Sequence, residues 1–181
     1  MAEATKGLHA FVAPSYGKEE GDDPYGKANR EIAKLAVQLT LESCPDDILL
    51  FDGSVPVREV STFKVGGKSP LLFITLGSGD PKKHESTVFL AEETLHVCKK
   101  KGITKITVLA VSPYYRRALR DFRKILEPEG IEVNGIRLEG DWFDPNSSQW
   151  WTRSQLRWQV YDGILMALPF FIYRRLTKWL A

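Results

Sequence analysis

The chain has 181 residues, 43% of them apolar and 27% charged, with 25 basic against 23 acidic side chains. That is enough chain to bury a core as one ordinary soluble domain, and it excludes the disordered and fibrous classes. The net charge of +2 is uneven, because residues 150–181 carry +4 and the remainder −2; the basicity belongs to the C-terminal stretch, and no nucleic-acid partner is expected.

The opening residues "MAEATKGLHAFVAPSYG" lack the basic end and apolar run of a signal peptide, so the expected compartment is the cytoplasm. "LHAFVAP" (8–14) reads as a first strand and "SYGKEEGDDPYG" as a loop. In "KANREIAKLAVQLTLES" the residues Ile32, Leu35, Ala36 and Leu39 recur at helical spacing until Pro45 ends the pattern. "DILLFDG" (47–53) is a second strand, and 54–68 fits a strand, a short helix or a loop equally well. A third strand is expected over 69–80, a helix over 86–102 closed by lysines and glycine, and a fourth strand over 105–112. A helix from Pro113 to about Glu127 and a fifth strand "IEVNGIRL" follow. Short apolar runs separated by helices are the habit of strands buried on both faces. The expectation is a three-layer, Rossmann-like α/β fold: an open, mostly parallel sheet with helices on both faces over residues 1–149, and an aromatic helical extension over 150–181 that packs on the same domain or on a partner.

Cys44 and Cys98 have neither CxxC nor metal spacing and read as buried thiols. His9 reads as a core histidine, His84 as a solvated loop residue and His96 as exposed. "GGKS" (66–69) is not a phosphate-binding loop, since the first glycine of that motif would fall on Thr62 and the stretch precedes a strand. No histidine cluster or paired-cysteine spacing suggests a metal.

Ligands of open parallel sheets bind beyond the carboxyl ends of the strands. There the sequence places Ser15, Tyr16 and Gly17 after the first strand, Asp52 and Gly53 after the second, and Gly77, Ser78 and Gly79 followed by Glu85, Ser86 and Thr87 after the third. Ser112, Tyr115, Arg116 and Arg117 follow the fourth. Small, polar and basic residues at one rim suit an anionic small molecule, with Ser86 or Thr87 capping a helix whose first amides face it. "SPYYRRALRDFRK" is the odd element, because it sets arginines where the helix end is already positive. Ser112 reads as its cap and Pro113 as its first residue, with Ala118, Leu119, Phe122, Ile125 and Leu126 as its buried stripe. Arg117 reads either as the solvated partner of Asp121 or, with Arg116, as a clamp over the pocket; Arg120 and Arg123 read as ordinary surface residues.

The run "ITKITVLAVSPYYRRALRDFRKI", preceded by "ESTVFLAEE", resembles the domain of unknown function 218 family, the YdcF-, SanA- and ElyC-like proteins, over roughly residues 8–140. The resemblance implies a Rossmann-like domain with a polar pocket at the strand ends and a nucleotide-like ligand, S-adenosylmethionine among the candidates. It matches Arg30 to the family's helix arginine, Ser86 and Thr87 to its Ser/Thr loop, Glu92 to its helix acid, and Ser112, Arg117 and Ala118 to the strand exit and Arg-Ala pair. Tyr115 stands where the family has histidine, so histidine-dependent catalysis does not carry over, and no reaction is assigned.

Residues 150–181 hold four of the five tryptophans, and the run from Gly163 to Tyr173 is apolar all round, broken at Pro169. Too short to span a bilayer, it suits core packing, a homo-oligomer interface through 153–181, or a peripheral membrane contact.

Overall fold

The computed structural model describes residues 7–17, 26–44, 46, 48–57, 72–77, 85–147 and 149–180. Five strands, β1 (Leu8–Ala13), β2 (Ile48–Asp52), β3 (Leu72–Leu76), β4 (Ile103–Val111) and β5 (Glu132–Leu138), form one all-parallel sheet in the order β3-β2-β1-β4-β5. The helices are α1 (Gly26–Ser43), α2 (Thr87–Lys101), α3 (Tyr115–Leu126), α4 (Gln155–Ala167) and α5 (Phe170–Leu180). β1-α1-β2 runs one way across the sheet and β4-α3-β5 the other. Right-handed crossovers therefore put α1 on one face and α3, with α2 packed on it, on the other. This is the expected three-layer, Rossmann-like α/β fold.

The central strands are apolar on both sides because both sides are covered: Ala10, Val12, Leu49, Leu50, Val108 and Leu109 are fully buried. Edge strand β3 leaves Leu72 exposed. On α1 the buried side chains are Ile32, Ala33, Ala36, Val37, Thr40 and Leu41, so the stripe is turned slightly from the expected one and Leu35 and Leu39 lie at its margin. α2 begins as its sequence indicates, with Ser86 Oγ accepting from Phe89 N at 3.2 Å, and ends in three lysines and Gly102 at φ 72°.

α3 does not start at Pro113. Ser112, one residue past the end of β4, still donates its N–H to Leu138 O of β5 at 2.8 Å, and a turn closed by Tyr114 N–H on Val111 O delays the helix to Tyr115, so the cap position falls on Tyr114, without a side-chain cap bond, and not on Ser112. The delay fixes where each arginine points. The rest of the buried stripe of α3 is as expected, with Leu119 only partly covered.

Cys44 and Cys98 are buried free thiols. His96 is exposed, whereas His9 is only half-buried at the start of β1, with its ring bonded to Thr107 Oγ1 at 2.9 Å; it is not a core residue. The ambiguous stretch 54–68 lies outside the described residues beyond Val57, and so do Ser78, Gly79 and His84.

The C-terminal helices fold back on the domain, anchored by the buried side chains of Trp158 and Tyr173. Leu168, extended at φ −70° and ψ 137° as a residue before proline prefers, separates α4 from α5. Ahead of them, a knot of buried polar groups holds the chain: Thr152 Oγ1 lies 2.7 Å from Ser147 Oγ, and Arg153 Nε donates to Ser147 O at 2.6 Å. Among the described residues no helix is long and apolar enough to cross a membrane.

Candidate functional site

The strand order reverses between β1 and β4, and there the chains leaving the two strands diverge and open a crevice. A cavity of about 250 Å³ fills it. Ser15, Tyr16 and Gly17 line it from the exit of β1, Glu85, Ser86 and Thr87 from the start of α2, Tyr114 and Arg117 from the exit of β4, and Trp158, Tyr161, Leu165 and Tyr173 from the C-terminal helices.

The β1 exit is held rigidly. Buried Asn29 on α1 accepts from Tyr16 N at 2.8 Å and donates to Gly17 O at 3.0 Å, and Ser15 Oγ donates to Asp52 Oδ2 at 2.5 Å. Gly17 takes φ 71°, which a side chain resists. Gly77, also at φ 71°, leaves space that the Glu85 carboxyl occupies, so its part is to let Glu85 lie over the end of β3. Tyr16 OH, buried and lining the cavity, has no hydrogen-bond partner among the described residues. Burial raises Tyr16 and Tyr114 well above the usual tyrosine value, so both stay protonated; Tyr114 OH shares a hydrogen bond with Thr87 Oγ1.

Arg117 is the centre of the site. Only 7% exposed, its guanidinium lies 4.9 Å from the ring centre of Trp158, 5.1 Å from Tyr114 and 5.2 Å from Tyr161. Its Nε is 3.3 Å from Asp162 Oδ1, near enough for an ion pair but not aligned as a hydrogen bond. Its partner is therefore Asp162 of α4 and not Asp121, and the pair is buried, not solvated. Aromatic faces and a carboxylate offset the positive helix end that makes an arginine unfavourable there.

Arg120 is likewise no ordinary surface residue. It pairs with fully buried Asp121 (Nε–Oδ1 3.0 Å), lies 4.6 Å from the Tyr173 ring centre and donates to Leu165 O at 3.4 Å. Tyr173 OH donates to Asp121 Oδ2 at 2.8 Å. Burial raises the Asp121 carboxyl above its usual range, against the pull of Arg120 and of the Tyr173 hydroxyl. For an acid with a raised folded-state value, the stabilising contribution is full below the unfolded value of about 3.9 and is lost as pH rises through the folded value. Asp121→Asn cannot titrate, so it should lose stability relative to wild type progressively as pH falls through the raised folded-state value toward the unfolded value, in urea titrations. A difference flat in pH would contradict this environment.

Of the residues expected at the site, Ser15, Tyr16, Gly17, Glu85, Ser86, Thr87 and Arg117 converge. Arg30, half-buried on α1, and Ser112, in the turn after β4 with its N–H on Leu138 O, both lie outside the cavity lining. Tyr115 and Arg116 point away, because the later helix start turns them toward β5 and solvent; Tyr115 OH lies 3.4 Å from Gly135 O, its ring against a glycine that leaves it room. Glu92 is engaged by Arg174 of α5 at 2.6 Å, outside the pocket. The aromatic roof was not anticipated. Its signal was the spacing Trp158, Tyr161, Leu165, which sets three large side chains on one face of α4.

Ser86 Oγ is committed to its cap and Ser15 Oγ to Asp52, and no histidine lines the cavity among the described residues. Nor do three His, Cys, Asp or Glu side chains group to hold a metal ion among them. The cavity thus brings together a flat cationic group, the buried Tyr16 hydroxyl and the amides that open α2, within a box of aromatic rings. Compared with protein-family models, curated proteins and solved structures, the chain matches none.

Proposed function

We propose that the protein binds a small, planar, anionic ligand of nucleotide-like kind at the β1/β4 crevice. One observation carries this: the terminal nitrogens of Arg117, a buried cation lining the cavity, make no hydrogen bond to the described residues. A guanidinium in that state offers a ready-made fork for a carboxylate or phosphate, and the amides opening α2 reinforce it. Tyr16, Trp158 and Tyr161 supply faces on which a flat ring stacks. The resemblance to the YdcF-like proteins points the same way. At about 250 Å³ the cavity falls just below the roughly 300–1,000 Å³ of typical ligand pockets, so a nucleobase, a single nucleoside phosphate or a sugar phosphate fits better than S-adenosylmethionine or a dinucleotide.

A thermal-shift panel of nucleosides, nucleoside monophosphates, sugar phosphates, S-adenosylmethionine and inorganic phosphate tests it. A ligand at 100 times its Kd stabilises by about 2.7 kcal/mol, which for a chain of this size raises Tm by roughly 5–10 °C. Stabilisation by a nucleoside monophosphate above that by its nucleoside supports the proposal; no shift with any compound removes it.

A further inference from the structure

The inward sides of α4 and α5 close the cavity, but none of the described residues covers their outward sides. Leu156, Val160 and Ile164, spaced four apart on α4, are 71%, 54% and 61% exposed, and Phe171, Ile172 and Leu176 continue the stripe along α5. Single exposed apolar residues are ordinary, whereas a contiguous stripe marks an interaction surface. The exposed charges that α4 and α5 themselves carry are basic. Exposed Arg157 and Arg175 flank the stripe, and the sole acid of the segment, Asp162, is turned inward on Arg117.

A second feature shares α4 with it. An open groove of about 630 Å³ between α3 and α4 is lined by Arg116, Arg120, Arg123 and Lys124 against the single acid Glu127, with Met166 of α4 in its wall. Arg120 is spent on Asp121 and Arg123 lies 3.5 Å from Glu127, so Arg116 and Lys124 are the exposed cations that no ion pair engages among the described residues.

We propose that this face docks on an anionic lipid bilayer, the α4–α5 stripe entering the boundary of headgroups and acyl chains while Arg116 and Lys124 meet lipid phosphates. An apolar face whose nearby acids, Glu127 and Glu92, are each paired with an arginine, and whose remaining exposed charges Arg116, Lys124, Arg157 and Arg175 are basic, is complementary to such a surface. A second copy fits poorly, because a two-fold contact of this face would set like charges together. The contact is peripheral, in keeping with helices too short to span. It uses only outward side chains and does not depend on the ligand reading.

Sedimentation with large unilamellar vesicles tests it, using phosphatidylcholine alone and with roughly 30% phosphatidylserine. Wild type should pellet with the anionic vesicles only, and less in high salt. L156E/I164E and R116E/K124E should each lower the partition coefficient at least tenfold while keeping wild-type circular dichroism and Tm, since all four positions are exposed. Failure of wild type to pellet, or pelleting unchanged in both variants, overturns the proposal. So does a dimer by light scattering that L156E/I164E dissolves, which would assign the face to a second copy.

Discussion

Trp158→Ala should lower the free energy of unfolding by about 3–5 kcal/mol, the usual range for deleting a large buried aromatic. The indole is 4% exposed, packs at ring-centre distances of 5.2 Å from Tyr16, 5.9 Å from Tyr114 and 6.1 Å from Tyr161, and donates Nε1–H to Pro113 O at 2.8 Å. It joins three segments far apart in sequence, the exits of β1 and β4 and the helix α4, so its loss loosens the roof and the rim together. Trp158→Phe keeps most of the packing but strands the Pro113 carbonyl, and should lose only about 1–3 kcal/mol. Urea unfolding followed by both tryptophan fluorescence and far-ultraviolet circular dichroism measures this. Four of the five tryptophans lie in residues 150–181, so fluorescence reports that region. If Trp158→Ala cost under 1 kcal/mol, with the fluorescence transition running ahead of the circular dichroism, the C-terminal helices would be a loosely held appendage and the cavity would lack a firm roof.

The sheet was legible because its signal is local. Runs such as "ITVLAV" of β4 are apolar without alternation, and only a strand covered on both faces is written that way. Ser86 and Gly102 bounded α2 correctly because caps act within a few residues of themselves. Ser112 misled because a serine before proline after a strand looks like a cap whether or not its amide is still bonded to a neighbouring strand, and that bond to Leu138 is non-local. The same non-local information decided the site. That a rim would form at residues 15–17, 85–87 and 117 follows from topology alone. The roof did not, since the apolar run of 163–173 is compatible with a core, a partner and a membrane until Trp158 and Tyr173 are seen to turn inward and Leu156 and Ile164 outward. Nor could spacing choose between Asp121 and Asp162 as the partner of Arg117. Helical neighbours four apart suggested the first, and the fold-back of α4 supplied the second.

That choice has the second large consequence. With Arg117 replaced by methionine, Asp162 keeps a carboxylate of which only 17% of the side chain is exposed and loses the one ion-pair partner it has among the described residues, a situation that typically costs about 3–5 kcal/mol. Its partial exposure, and the weaker pull of Arg120 and Arg116, place the expectation near the lower end. Asp162→Asn should cost less, about 1–2 kcal/mol, because three aromatic faces still hold the stranded guanidinium. If the pair acts as a unit, R117M/D162L should recover most of the loss, giving a coupling energy in a double-mutant cycle of about 1–3 kcal/mol. A cost for Arg117→Met within about 0.5 kcal/mol of zero, as at an ordinary surface position, would show that the guanidinium is solvated and the cage does not hold it. Arg117→Lys then separates support of the fold from recognition. Lysine keeps the charge facing Asp162 and so should retain much of the stability, but its ammonium neither lies flat between rings nor offers a planar fork. A variant that stays folded yet loses its thermal response to nucleoside monophosphates would place Arg117 in contact with the ligand's anion.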